Sequence, residues 1–311
     1  MPQMTPRQAR VIDPILTQVA QGHKNADFVG EALFPVVPVE QRGGKIIQFG
    51  KEDFKLYATG RAPGANTKRV NYGYQGDPYS LEQHALEGQV PFEIMEDANA
   101  VPNIDMATVA IRKTQNIIDL RLEKARADIA RDEASYDNDH KVTLSGTDQW
   151  SDHDNSDPTG DIDAARSAVR STIGRRPNTA LLSGKAFDAV RNHPKIIDRI
   201  KYTGRDSITP EMLASLWNLQ RVVVGDAVYA EDDGDLVDVW GGDVIVAYTE
   251  VGSLADMGLP SYGYTYRLRN FPIVEQPYQD RNAKSWIYPV TDEVDPVMAA
   301  GLAGFLIRNA A

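Results

Sequence analysis

The amino-acid sequence predicts an α+β fold in which long extended segments accompany a compact interior. Residues 103–134 contain no glycine or proline and carry apolar residues at helical spacing, which predicts one long helix. Residues 46–90 have a turn-rich centre and alternating residues after it, which predicts a long β-hairpin. Residues 145–262 mix short helix and strand patterns, and residues 263–311 return to strands. Together with the long helix and the hairpin, these patterns predict the α+β class.

Composition limits the classes of protein to which this chain can belong. Its 311 residues include no cysteine and carry a net charge of −11. Without cysteine there are no disulfides, thiolate metal ligands or cysteine nucleophiles, and the negative charge argues against a general nucleic-acid binder. The uncharged run 297–307 is too short to span a bilayer, and the first residues do not resemble a signal segment. A cytosolic protein is the simplest interpretation.

The charges are unevenly distributed along the chain. Residues 1–75 hold ten Lys and Arg against six Asp and Glu, and every charge between residues 54 and 76 is basic. Residues 132–163 hold ten acids and one Lys, and residues 226–256 hold nine acids and no base. In a self-assembling protein, this pattern would make the basic extension of one subunit complementary to an acidic surface of another.

Residues 1–45 predict an N-terminal arm. Prolines at positions 2, 6, 14, 35 and 38 interrupt any long helix, yet apolar residues such as Phe28, Leu33 and Phe34 are too frequent for a disordered tail. Such a segment must pack on a surface, which is either its own domain or a neighbouring subunit.

Residues 46–90 predict an extended loop built as a β-hairpin. Residues 70–75 alternate with the period of a half-buried strand. Residues 45–49 and 55–59 supply the expected partners, and the turn formers of 60–66 supply the tip. Arms of about a dozen residues would reach about 40 Å. Because a lone hairpin is only marginally stable, we expect its aromatic and basic surface to rest on another subunit.

The predicted helix 103–134 is a structural spine. Asn103 or Asp105 is its expected N-cap, and about 30 residues give a length of about 45 Å. Its apolar positions drift between two stripes, which disfavours a coiled coil.

The remaining elements follow from shorter patterns. One helix is expected to run to Ile173 from a cap at Asp161 or Asp163, and others at 186–192 and 210–216. Strands are expected at 179–182, 222–224, 236–240, 244–248, 262–268 and 285–290. The apolar run at the C-terminus is expected to enter a core.

Enzyme signatures are absent from the sequence, which contains neither Gly-x-Ser-x-Gly nor His-Glu-x-x-His. The metal-site candidates are Asp152, Asp154 and Asp163, whose oxygen ligands would suit Ca²⁺. The stretch lacks the glycine that a calcium loop requires at its sixth position, so a solvated acidic loop is the preferred interpretation. We expect no cofactor.

The order of parts resembles the shell fold of tailed-bacteriophage major capsid proteins, the Hong Kong 97-type fold, which encapsulin shells share. Residues 32–39, Ala-Leu-Phe-Pro-Val-Val-Pro-Val, resemble the apolar arm segment of many phage capsid subunits. Residues 216–224, Leu-Trp-Asn-Leu-Gln-Arg-Val-Val-Val, are similar to a stretch of their axial domain and depart from it at Asn218 and Gln220.

The resemblance implies a role for each part of the chain. The parts are an N-terminal arm (1–45), an extended loop (46–90), a peripheral domain with spine helix 103–134 (91–144), an axial domain (145–262) and C-terminal strands of the peripheral domain (263–311). The expected intersubunit contacts are Phe28, Leu33, Phe34, Lys55, Tyr57, Arg61, Lys68, Arg69, Tyr72, Tyr74 and Trp217.

The function implied is that of a major capsid protein, which assembles as hexamers and pentamers into an icosahedral shell around double-stranded DNA. The implied partners are other copies of the chain, a separate scaffolding protein, a portal, non-specifically bound DNA and a possible decoration protein. We expect no membrane contact, assembly in the host cytoplasm and a final place in the virion. The alternatives are an encapsulin-type compartment shell and a soluble α/β enzyme or binding protein with an acidic cation site.

Overall fold

A computed structural model describes residues 12–22, 28–45, 59–61, 78–99, 105–200, 207–231, 234–250 and 261–311. The helices are α1 Pro14–Gln21, α2 Phe92–Asn99, α3 Met106–Arg131, α4 Pro158–Ile173, α5 Gly184–Arg191, α6 Pro194–Ile200 and α7 Pro210–Leu216. No helix in these ranges combines the length and the apolarity that a membrane span requires.

The strands fall into two larger sheets and two small ladders. The strands are β1 Val36–Val39, β2 Gly43–Lys45, β3 Pro78–Ser80, β4 Glu82–Pro91, β5 Lys141–Thr143, β6 Thr179–Ser183, β7 Arg221–Gly225, β8 Val228–Ala230, β9 Leu236–Asp238, β10 Val244–Ala247, β11 Gly263–Leu268, β12 Ile273–Val274, β13 Tyr278–Asp280, β14 Ser285–Met298 and β15 Gly304–Arg308.

The spine helix α3 is the longest helix of the described chain. Asp105 is its N-cap, and its carboxylate accepts the backbone N–H of Ala107 at 3.1 Å. Ile111, Ile118 and other core-facing residues are buried, whereas Ile117 on the outer face is 55% exposed. The helix therefore has one face in the core and one at the surface, as its length and periodicity predict.

One sheet has six strands, with β14 at its centre. β4 pairs along one edge of β14, and β11, β12 and β13 pair along the other, with β1 outside β11. The apolar cluster between this sheet and α3 includes Ile111, Ile118, Val290 and Tyr288. The even-numbered residues of β14 therefore face α3, and the odd-numbered residues face away from it.

The second sheet has the order β5-β15-β10-β6-β7 and carries the largest core cluster. Its last strand corrects the predicted partition of the chain. β15 pairs with β10 and, in parallel, with β5, so residues 304–308 complete the α/β sheet instead of the sheet that holds β11 and β14.

Two predicted elements also differ in extent. Helix α4 begins at Pro158, before the predicted cap at Asp161 or Asp163, because proline is favoured in the first helical turn. Strand β14 continues to Met298, well past the predicted end at Val290.

Candidate intersubunit surface

The described parts of the N-terminal arm pack on their own subunit. Thr17 of α1 exchanges hydrogen bonds with the backbone of Val274, and the Val274 N–H donates to Thr17 Oγ1 at 3.0 Å. Strand β1 pairs in parallel with β11. Of the two surfaces considered for the arm, residues 12–22 and 28–39 therefore lie on their own domain.

Three predicted contact residues are corrected by their burial. Leu33 and Phe34 are fully buried, and Trp217 is 1% exposed, all within the main core cluster. Phe34 packs at 5.4 Å from the Tyr262 ring, and a Cβ at Gly263 would lie 2.4 Å from Phe34 Cδ1. A side chain with no exposed surface offers nothing for a neighbour to cover, so these three residues stabilise the subunit itself.

The other predicted contacts are placed differently. Phe28 is partly buried and packs against the same core, and Arg61 is exposed. Six predicted contacts lie outside the described residues: Lys55, Tyr57, Lys68, Arg69, Tyr72 and Tyr74.

A buried carboxylate joins the arm to the spine helix and the α/β sheet. Glu123 is fully buried; its Oε1 accepts the N–H groups of Val29 at 3.0 Å, Gly30 at 2.9 Å and the Trp240 indole at 2.9 Å. Arg126 Nη1 lies 3.9 Å from its other oxygen. Burial raises the pKa of Glu123 and the Arg126 charge opposes the rise, while burial lowers the pKa of Arg126 to about 10. No pattern in the sequence indicates this junction beyond an acidic residue on a long helix.

The two ends of the predicted hairpin meet in a paired base. β2 and β3 form an antiparallel ladder, so the chain departs after residue 45 and returns at residue 78 at adjacent positions. Tyr79 stacks on Tyr266 with ring centroids 4.5 Å apart, and burial raises the pKa of Tyr266 to about 12. The hairpin itself lies outside the described residues.

Charged groups fix this base to β14. Arg42 donates two hydrogen bonds to Glu293, at 2.6 and 2.8 Å, and this hydrogen bond raises the pKa of Arg42. The Ser80 N–H donates to Asp295 at 3.1 Å. Burial raises the pKa of Asp295, and the Ser80 hydrogen bond opposes the rise. The base of the extended loop is therefore held by specific pairs.

The acidic loop satisfies its own oxygen atoms. Asp152 Oδ1 accepts hydrogen bonds from the backbone N–H groups of Asp154 and Asn155, each at 3.2 Å, and the Asn155 side chain lowers the pKa of Asp152. Asp163 pairs with Arg166 at 2.8 Å. Within the described ranges, no group of three or more acids and histidines is arranged to hold a metal ion.

Sequence reasoning missed an exposed apolar surface on the β8–β9 hairpin. Leu236 is 72% exposed and Val228 is 45% exposed. They lie on either side of residues 231–235, Glu-Asp-Asp-Gly-Asp. In the sequence, this stretch indicates only an acidic turn between strands. We call residues 228–238 the acidic hairpin.

Comparisons with known proteins agree with this architecture. A family profile described as "Phage major capsid protein E" matches residues 105–248. A major capsid protein of Burkholderia phage BcepMu is 37% identical over 304 residues, covering 96% of this chain and 97% of the relative. The crystal structure of a phage-related protein from Bordetella bronchiseptica RB50 is 48% identical, covers 97% of this chain and 98% of that one, and has a TM-score of 0.82.

A more distant structure bears on the alternative of a compartment shell. The SrpI encapsulin from Synechococcus elongatus has a TM-score of 0.56 with 15% identity, over 96% of this chain and 95% of the encapsulin chain. At this identity the likeness is one of fold alone.

Proposed function

This chain belongs to the phage major capsid proteins, a family of structural shell proteins, and from that premise we propose that it assembles as hexamers and pentamers into an icosahedral head that encloses double-stranded DNA. The observation that carries the proposal is the 37% identity to a phage major capsid protein over nearly the full length of both chains. Its role is structural, and we propose that it carries out no catalytic step.

We propose that each part of the chain has a separate role in the shell. Residues 1–45 act as the arm, residues 46–90 as the extended loop, and residues 91–144 with α3 as part of the peripheral domain. Residues 145–262 act as the axial domain together with β5 and β15, since β15 pairs with both β10 and β5. Residues 263–298 supply the sheet on which α3 packs.

The extended loop is proposed as the main contact between subunits. Its paired base at β2 and β3 supports an excursion of the chain between residues 45 and 78, and a hairpin of that length needs a surface to stabilise it. Many such contacts under closed symmetry would drive assembly.

Deletion of residues 60–67 tests this role. We expect the variant to keep its folded secondary structure and to lose or alter its assembly, because the tip would no longer reach a neighbour. Arg69→Glu should impair particle yield more than folding, as should Tyr72→Ala, whereas Arg69→Lys retains the charge and serves as the matched control. Particle yields equal to wild type in the deletion and in both substitutions would contradict the contact role.

Further partners are proposed from the family. A separate scaffolding protein would guide assembly in the host cytoplasm, a portal would occupy one vertex, and a decoration protein is a possible external partner. The inner surface would contact DNA weakly and non-specifically, because the net charge of the chain is −11. Purified heads containing DNA together with this chain would support the virion as its final location.

A further inference from the structure

The acidic hairpin is a small ladder with two distinct faces. β8 pairs with β9 so that Val228 lies opposite Asp238 and Ala230 lies opposite Leu236. Because alternate residues of a strand share a face, Val228, Ala230, Leu236 and Asp238 form one face, which we call the outer face.

The other face of the acidic hairpin is turned toward the spine helix. Tyr229, opposite Val237 in the ladder, lies under the Lys124 ammonium group, with Nζ 5.0 Å from the ring centroid. This contact orients the outer face away from the subunit. Leu236 and Val228 are accordingly 72% and 45% exposed, an unusual place for two branched apolar side chains on adjacent strands.

The outer face is also negatively charged. Asp238 lies on it, and Glu231 and Asp235 lie at the adjoining turn, where Glu231 accepts a hydrogen bond from the Tyr229 hydroxyl at 3.2 Å. All three fall within a stretch of 31 residues that contains no Lys or Arg (226–256). Asp238 itself pairs with Lys185 of α5, whose Nζ lies 2.8 Å from Asp238 Oδ2. The surface therefore combines apolar contact area with an excess of negative charge.

One segment of the chain has the complementary chemistry. All four charges in residues 54–76 are basic, and the segment also carries Phe54 and the tyrosines at 57, 72 and 74. Basic and aromatic side chains can cover the exposed Leu236 and Val228 while pairing with the surrounding acids. We call residues 54–76 the basic segment.

The geometry of the sheet favours a second copy of the chain as the source of this segment. Arg126 of α3 donates to Thr265 Oγ1 at 3.0 Å, so Thr265 faces the spine helix. Tyr266, the next residue, points to the opposite face of the sheet, where it stacks on Tyr79 at the hairpin base. The described ends of the loop, at residues 45 and 78, thus lie on the sheet face opposite α3, whereas the acidic hairpin of the same subunit packs on α3.

We propose that the outer face of the acidic hairpin receives the basic segment of a neighbouring copy of this chain. This assignment rests on the proposed function, because it identifies the receiving surface for the extended loop during self-assembly.

Three charge-reversal variants test the assignment. One full-length variant carries Glu231→Lys and Asp235→Lys, a second carries Lys68→Glu and Arg69→Glu, and a third combines all four. We expect each double variant to lower particle yield by about tenfold or more, since like charges across an interface cost several kcal/mol. The combined variant should recover most of the yield, because attraction is restored with opposite signs.

Two further variants separate a docking role from a general effect. Leu236→Ser should lower particle yield while leaving the unfolding midpoint unchanged, because the side chain is 72% exposed. Asp188→Lys, an exposed acid on α5 outside both surfaces, should assemble like wild type and serves as the control for charge reversal.

The outcomes distinguish this inference from the proposed function. Wild-type protein that never forms particles would contradict the proposed function itself. Wild-type assembly with unchanged yields in the acidic-hairpin variants, or four reversals that restore nothing, would overturn the docking assignment while leaving the capsid function intact.

Discussion

Replacing Glu123 by Gln should detach the arm from the spine helix. The carboxylate accepts hydrogen bonds from Val29, Gly30 and the Trp240 indole while facing Arg126 at 3.9 Å. An amide of the same shape keeps one acceptor oxygen, but its NH₂ group would face donors. The substitution also removes the largest of the opposing charges that act on the buried guanidinium of Arg126.

The size of the effect follows from these contacts. Hydrogen bonds to a charged group contribute about 1.5–3 kcal/mol each, and removing one member of a buried ion pair costs about 3–5 kcal/mol. The hydrogen bonds and the ion pair belong to one side chain, so their contributions are not additive. We therefore expect the free energy of unfolding to fall by about 3–5 kcal/mol. With a urea slope of about 3 kcal/mol/M, the unfolding midpoint should fall by about 1 M or more.

Urea unfolding followed by tryptophan fluorescence measures this change, because Trp240 donates directly to Glu123. Asp128→Asn is the matched control on the same helix. It removes an exposed carboxylate that pairs with Lys124 at 2.6 Å, and should cost about 0–1 kcal/mol. Limited proteolysis should also cut the arm near residues 28–34 faster in Glu123→Gln alone. Equal midpoints for the two variants would refute the view that Glu123 holds the arm.

Two other predictions concern packing and pH. Gly225→Ala would place a Cβ 2.3 Å from Trp240 Cδ1, and this overpacking should lower the free energy of unfolding by about 1–3 kcal/mol. Gly60→Ala is the control, because no atom lies within 4 Å of its added Cβ, and its melting temperature should equal that of wild type. Equal melting temperatures for the two variants would contradict this prediction. Burial, then the charge of His153, lowers the pKa of buried His193, so the unfolded state binds a proton that the native state resists, and stability should fall as pH drops below about 6.5. Denaturant unfolding across pH 5–8 measures how the free energy of unfolding depends on pH. In His193→Asn the loss of stability toward low pH should be smaller, and an unchanged pH dependence would exclude the histidine as its source.

The sequence was sufficient to predict elements that depend on local pattern. The spine helix was expected because no glycine or proline interrupts it. In the structure its N-cap is Asp105, one of the two expected caps. The strand expected over 285–290 continues to Met298 through three acids, Asp292, Glu293 and Asp295. Asp292 and Glu293 are buried, and they are paired by Arg267 at 3.0 Å and Arg42 at 2.6 Å, which lie far away in the sequence.

Features that depend on distant pairing could not be predicted from the sequence. Leu33, Phe34 and Trp217 are apolar whether they cover their own core or a neighbour, so composition could not separate the two. Residues 304–308 were assigned with 263–311 to the peripheral domain, but the parallel pairing of β15 with β5 joins residues 306–308 to 141–143. The exposed Leu236 was missed because a strand pattern does not tell which face the rest of the subunit covers.

The most direct test of the account is the particle size of the purified full chain, measured by sedimentation velocity with negative-stain microscopy of the same sample. The account predicts closed shells, or hexamer and pentamer rings. A monomer or dimer that never assembles, even at high concentration with a crowding agent, would contradict it.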